Sequence, residues 1–151
     1  MRISAKADYA MRALLELAAT DEELLKGDDI SESQSIPFKF LEKIMSELKT
    51  AGIVFSQRGA EGGYSLVRPA GEVNLAEIMR AIEGPIAIVR DTRPENLEYE
   101  DPAKGLTSAW VALRSSMRVV LESVTLANVL EEKFPPEVTA LLDDPNAWES
   151  D

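Results

Sequence analysis

Cysteine and histidine are both absent from this 151-residue chain. Their absence excludes disulfides, a thiolate nucleophile, a Ser-His-Asp triad and any Cys/His metal site. A metal would have to rest on carboxylates alone, and no Asp/Asn/Gly run resembles an EF-hand loop. No apolar run is long enough to span a bilayer. The start, Met1-Arg2-Ile3-Ser4-Ala5-Lys6, lacks the apolar stretch of a signal peptide, so a cytoplasmic protein is expected. No internal repeat or low-complexity tract is evident. What remains is 45% apolar, enough for a packed core, and the length suits one compact domain or a small domain with an appended arm.

Positive charge is also in short supply. The net charge is −11, which by itself argues against a nucleic-acid partner. Its distribution weakens that argument. Residues 33–68 carry Lys39, Lys43, Lys49, Arg58 and Arg68 against Glu42, Glu47 and Glu61, a local excess of +2. The acidic surplus elsewhere would disfavour non-specific DNA adhesion.

The apolar spacing places helices around that basic stretch. Ala5 to Ala19 reads as a first helix with Tyr9, Ala10, Ala13, Leu14, Leu17 and Ala18 on its buried stripe. Thr20 to Asp29 reads as a loop, and Ile30 to Ser35 as a weak, short helix. Pro37 to Ala51 is the strongest helix, burying Leu41, Ile44, Leu48 and Ala51, with Gly52 as its stop. Its other face carries Lys39, Glu42, Lys43 and Ser46, and Phe38 and Phe40 stand near its start. Two short strands follow, Ile53-Val54-Phe55 and Tyr64 to Val67, separated by the Gly-rich tip Gln57-Arg58-Gly59-Ala60-Glu61-Gly62-Gly63. A helix from Val73 to Gly84 has Asn74 as N-cap and Glu77 as its capping-box partner. Pro85 to Gly105 shows no period and reads as an exposed connection.

Leu106 to Val129 reads as a long helix. Leu106, Trp110, Leu113, Met117, Val120 and Val124 step along it by four and three, approximating a heptad seam. A break with Thr125 as a new N-cap is one option there. This arm has no globular domain of its own to cover the seam, so a partner subunit is the expected cover. Residues 131–151 hold one basic residue, Lys133, against seven acids; Pro135-Pro136 starts a short helix, and the last residues are expected to fray.

A helix, a strand, a bare Gly-rich tip and a second strand spell a winged helix-turn-helix. Gly59, Gly62 and Gly63 allow the main chain to approach a phosphate backbone, with Gly62-Gly63 read as positive-φ turn positions. Arg58 at the tip suits a narrow, strongly negative minor groove. Gln57 and Tyr64 flank the tip. Lys39 and Lys43 are placed for phosphate or base contact, and Lys6 and Tyr9 for backbone phosphate, each against the alternative of an ordinary solvated or packing role. Glu42 near DNA is costly unless it accepts from a cytosine amino group, so it would penalise wrong bases. Arg90, Arg93 and Trp110 form a candidate effector pocket. Without His or Cys no nucleophile–base pair assembles, and an enzyme has the least support.

The segments Ile3 to Ala10, Ile36-Pro37 with Phe40-Leu41-Glu42 and Ile44, the Arg58-Gly59-x-x-Gly62-Gly63-Tyr64 wing, Arg68-Pro69 and Ala81-Ile82-Glu83-Gly84 together resemble the Rrf family (BadM/Rrf type) of bacterial transcription regulators. The resemblance covers about residues 1–130. It implies a homodimeric regulator with a recognition helix in the major groove, a wing in the minor groove and a long C-terminal helix crossing its mate. Cluster-binding members carry three cysteines between the Ala-Ile-Glu-Gly helix and the tryptophan of the long helix. In this chain Pro85 to Ala109 has none, and Lys104 or Gly105 stands where the last is expected. A cysteine-ligated iron–sulfur cluster is therefore excluded, no cofactor is expected, and any signal arrives by another route.

The expected architecture is mainly α with a small β-hairpin. Residues 1–84 form the winged helix-turn-helix DNA-binding domain, 85–105 a connector, 106–130 a dimerisation helix and 131–151 an acidic tail. The expected function is a sequence-specific, homodimeric repressor on a pseudo-palindromic operator, with double-stranded DNA and a second copy as partners and no membrane. A winged-helix protein-interaction module is the alternative, and the basic helix 37–51 plus wing counts against it.

Overall fold

The computed structural model describes residues 2–149. The fraying expected at the chain end falls partly on residues outside these. Among the described residues no helix is long and apolar enough to cross a membrane.

α1 (Ala5–Ala19) opens with Ser4 as N-cap, its Oγ accepting from the Ala7 N–H. The same hydroxyl donates to the Glu83 carboxylate, tying the start of α1 to the end of α4. α1 buries Ala7, Ala10, Ala13, Leu14 and Leu17, so four of the six expected stripe residues are fully covered. Tyr9 and Ala18 stay half-buried.

α2 (Gly27–Gln34) starts three residues before the expected point. Asp28 and Asp29, taken for loop residues, lie in its first turn, where acidic groups meet the positive end of the helix. Ser35 turns the chain left-handed at φ 53°, Ile36 is buried, and Pro37 caps α3 (Phe38–Thr50). That αL turn between two short helices is the helix-turn-helix. α3 buries Leu41, Ile44, Met45 and Leu48; Ala51, expected on this face, is the exposed C-cap instead.

β1 (Val54–Gln57) pairs antiparallel with β2 (Gly63–Leu66), Val54 opposite Leu66 and Gln57 opposite Gly63. The hairpin gains a third, one-residue rung. Leu25 and Tyr64 exchange both backbone hydrogen bonds, at 2.9 and 2.8 Å. This rung fixes the wing to the segment before α2, a contact far apart in sequence.

α4 (Leu75–Glu83) has the expected capping box, with Asn74 accepting from the Glu77 N–H and Glu77 accepting in return. Arg68 reinforces it through a 2.6 Å ion pair to Glu77. The connector is less exposed than its sequence suggests, because Pro94 and Leu97 are buried. It also holds three non-glycine residues in the left-handed region, Ala87, Arg90 and Asp91. The last two form the tip of a tight hairpin closed by Val89 and Thr92.

The long helix expected over 106–129 is two helices. α5 (Leu106–Ser123) stops at Val124, and α6 (Leu126–Glu131) restarts with Thr125 as N-cap in a capping box with Asn128. Residues on both sides of the break bond to the DNA-binding half. The Leu75 N–H donates to the Val124 carbonyl at 2.9 Å, and the Leu126 N–H to the Val73 carbonyl at 3.0 Å. Leu126 is fully buried in the core beneath α1, and Val124 is 2% exposed. Val124 is therefore core of its own subunit rather than a seam residue. α7 (Pro136–Leu142) begins after Pro135 as expected.

Candidate nucleic-acid interface

α3 and the wing enclose an open cleft of about 620 Å³ that also reaches the start of α2. Glycines make this cleft possible, each for its own reason. Only Gly59 at the tip has positive φ, +105°. Gly62 and Gly63, expected to supply positive φ, are required by crowding instead. A Cβ on Gly62 would lie 2.1 Å from the Gln57 carbonyl oxygen, and one on Gly63 2.7 Å from that of Leu25. Gly27 leaves room for the rings of Phe38 and Tyr64, each 3.3 Å from where its Cβ would be. Tyr64 is half-buried here, and its phenol is pushed above its usual pKa, first by burial and then by the negative charge of Glu42.

The cations divide into two groups. Lys39, Lys43, Lys49 and Arg58 are all exposed. Among the described residues none of them, nor Lys26, takes part in an ion pair. They can take a phosphate without first breaking an internal contact. Lys6 and Arg68 belong to the second group. Lys6 pairs with Glu47 of α3 at 2.7 Å and lies near the Ile82 carbonyl, so it braces α1, α3 and α4. Releasing such a half-exposed pair costs up to roughly 1 kcal/mol, small but enough to favour the strut over a phosphate contact. Arg68 is held by Glu77 and the Glu72 carbonyl.

Tyr9 stands edge-on to Phe40, their centroids 6.4 Å apart, with the Arg12 guanidinium 4.9 Å above its ring. Phe38 and Phe40 stay 41% and 55% exposed, so the start of α3 presents two aromatic surfaces outward. Glu42 is exposed and unpaired among the described residues; the surface pairs open to it in sequence, with Lys39 or Lys43, do not form. Gln57, Arg58 and Gly59 are exposed at the tip, and Gly62 is buried beneath it. Lys26 also lines the cleft without having been singled out from sequence, beside Lys49 and Ser46, which were named there but not as DNA contacts. For Lys26 the available signal was Gly27-Asp28-Asp29, an acidic first turn that marks an earlier start for α2.

On the expected seam, α5 has no fully buried residue in one chain. Leu106 and Leu113 are 39% and 41% exposed, and Val119, missed in sequence, is 49% exposed. Trp110, Met117 and Val120 are half-buried against their own chain. The candidate effector residues do not converge. Arg90 lies over the Tyr99 ring at 5.5 Å, and the Trp110 indole N–H donates to the Tyr99 hydroxyl at 3.2 Å. Arg93 instead lines a separate cleft with Arg80, Arg114 and Arg118.

Comparison with known proteins places this geometry among regulators. A family model described as Rrf2, iron-dependent transcriptional regulator, matches residues 3–132. An HTH-type transcriptional regulator of Mycobacterium tuberculosis is 48% identical over 151 residues, covering 99% of this chain and 94% of that protein. CymR of Bacillus subtilis is 36% identical over 132 residues, 85% of this chain and 89% of its own. The structure of that CymR, named the global cysteine regulator of its organism, superposes with a TM-score of 0.73 at 34% identity over 87% of this chain and 98% of its own. IscR of T. potens superposes at 0.70 with 30% identity, covering 87% and 88%.

The iron in the family description finds no fitting ligand set in this chain. With no Cys or His, carboxylates would have to serve, and among the described residues no three gather to hold a metal. In the connector, where Asp91, Glu95, Glu98, Glu100 and Asp101 supply the acids, Glu95 is engaged by Arg114 and Asp101 by Lys104.

Proposed function

The chain belongs to the Rrf2 family of transcriptional regulators and is a DNA-binding winged-helix protein; from that premise we propose that it is a homodimeric repressor acting on a pseudo-palindromic operator. Each subunit lays the N-terminal half of α3 in a major groove and the Arg58 tip in the adjoining minor groove. The two recognition helices meet half-sites about 34 Å apart on one face of the duplex. The reading rests chiefly on one observation: Lys26, Lys49 and Arg58, exposed and without an ion pair among the described residues, line one cleft between α3, the wing and the start of α2, with Lys39 and Lys43 exposed and unpaired on the same helix α3. A chain of net charge −11 leaves those cations uncompensated where a DNA surface would lie.

The exposed apolar residues of α5 support the dimer. Leu106, Ala109, Ala112, Leu113 and Val119 are exposed there, while Arg114 lies turned into its own chain at 19% side-chain exposure. Family membership speaks for a regulator rather than an enzyme, working where the DNA is, in the cytoplasm. No cysteine-ligated cluster takes part.

The test is binding of the purified protein to DNA from its own promoter at low salt. We expect a sequence-dependent complex whose affinity falls steeply with salt, and weaker binding by Arg58→Ala and Lys39→Ala. If no promoter fragment is bound and Arg58→Ala changes nothing, the interface reading fails.

A further inference from the structure

The cleft at the junction of α4, the connector and α5 is a second concentration of positive charge, built from arginine. It has a volume of about 470 Å³, and Arg80, Arg93, Arg114 and Arg118 all line it. Three separate elements supply them, so helical periodicity alone does not explain their meeting. Two carboxylates answer these four guanidiniums. Glu95 pairs with Arg114, and Glu122 serves both Arg80 and Arg118 through one oxygen, Oε1. The Arg93 side chain has no hydrogen bond or ion pair among the described residues.

Four like charges held around one opening repel each other unless anions intervene. The two carboxylates cancel half of them and leave an excess of two. Because each guanidinium carries five N–H donors, most donors of Arg80 and Arg118 stay available while Glu122 is engaged. Guanidiniums match carboxylate and phosphoryl oxygens in a two-pronged geometry. The connector is held in place to deliver Arg93 and Glu95. Its hairpin is fixed by left-handed Arg90 and Asp91, and Pro94 and Leu97 are buried beside them.

We propose that this cleft binds a small dianion, a dicarboxylate or a phosphorylated metabolite, as the effector of the protein. A ligand there would touch α4 of the DNA-binding half and α5 of the dimer arm together, and so change how the two half-site readers are presented. That regulatory step rests on the DNA-binding reading above; binding of the anion does not.

Calorimetric titration of the full-length protein without DNA separates the two. Succinate and citrate probe the carboxylate class, inorganic phosphate and pyrophosphate the phosphoryl class, and acetate serves as the monoanion control. Saturable binding of one class, with acetate at least tenfold weaker, is the expected result, and the class that binds names the chemistry. Arg93→Ala, an exposed substitution that leaves the fold alone, should weaken that binding tenfold or more without moving the melting temperature. Glu95→Gln should tighten it severalfold, because it removes a carboxylate that competes for Arg114. A cluster that serves only to join the connector and α4 to α5 predicts no gain in anion binding for Glu95→Gln. Absence of saturable binding by every dianion at millimolar concentration overturns the proposal. So does an Arg93→Ala protein that binds the anion normally, or one whose loss appears only in DNA binding, which would make the cleft a phosphate-backbone contact. For the regulatory step, the anion that binds should shift operator affinity of the wild type and not of Arg93→Ala.

Discussion

A methyl group added at Gly62 would sit 2.1 Å from a backbone carbonyl oxygen that no side-chain rotation can move. Gly62→Ala should therefore cost about 1–3 kcal/mol by overpacking and distort the wing, seen as a lower melting temperature together with weaker DNA binding. Arg58 lies 4 positions earlier and behaves oppositely, being exposed and without an internal partner. Arg58→Ala should leave the melting temperature unchanged, weaken binding across sequences and lower the salt slope by about 1, measured by titration at several ionic strengths. Glu42 is the residue proposed for specificity. It is exposed beside the cleft and answers no cation. Glu42→Ala should bind DNA as tightly or more tightly but select a broader set of sites in a binding-site selection; unchanged preference would remove its discriminating role.

At the scale of elements, the break between α5 and α6 decides how the arm joins the DNA-binding half. Thr125 caps α6 and Leu126 enters the core beneath α1. Thr125→Ala should cost about 0.5–2 kcal/mol through the lost cap, and Leu126→Ala about 2–5 kcal/mol through a cavity, both readable by chemical denaturation. The ion pairs between α4, the connector and α5 add a pH signature. Glu122 is held below the ordinary carboxylate range by hydrogen bonds from Arg80 and then Arg118. Glu95 is lowered first by a backbone hydrogen bond and then by Arg114. Because these folded values are depressed, the pairs contribute fully above the ordinary Glu range and are lost as pH falls through the folded values. The junction should loosen only in distinctly acid solution, seen as a change in Trp110 fluorescence.

For the whole molecule, the outward surface of α5 is the feature a lone subunit leaves uncovered. No residue of this 18-residue helix is fully buried in one chain. Leu113→Glu would place a charge in the middle of that surface, far from the cleft and wing. It should split the dimer by sedimentation, leave the subunit folded, and weaken operator binding by removing the second half-site. A Leu113→Glu protein that sediments as a dimer would place the interface elsewhere.

The local signals in the sequence were sufficient for several elements. Asn74 with Glu77 and most of the apolar spacing of α1 and α3 depend on neighbours within about one helical turn, and the structure reproduces them; the Gly-rich tip forms, but Gly62 and Gly63 are required by crowding and not by positive φ. What sequence could not reach were contacts between distant segments. Leu25 bonding to Tyr64 explains Gly63, Val73 bonding to Leu126 explains the bend after Val124, and Glu47 pairing with Lys6 turns a candidate phosphate contact into a strut. The heptad step ran on to Val124 because periodicity records that a face is apolar and not which body covers it. Likewise Arg93 met Arg80, Arg114 and Arg118 only when three segments folded together. Composition and periodicity determined that this chain is a cysteine-free winged helix; long-range packing decided which of its charges are paired inside the fold and which stay exposed and unpaired around its clefts.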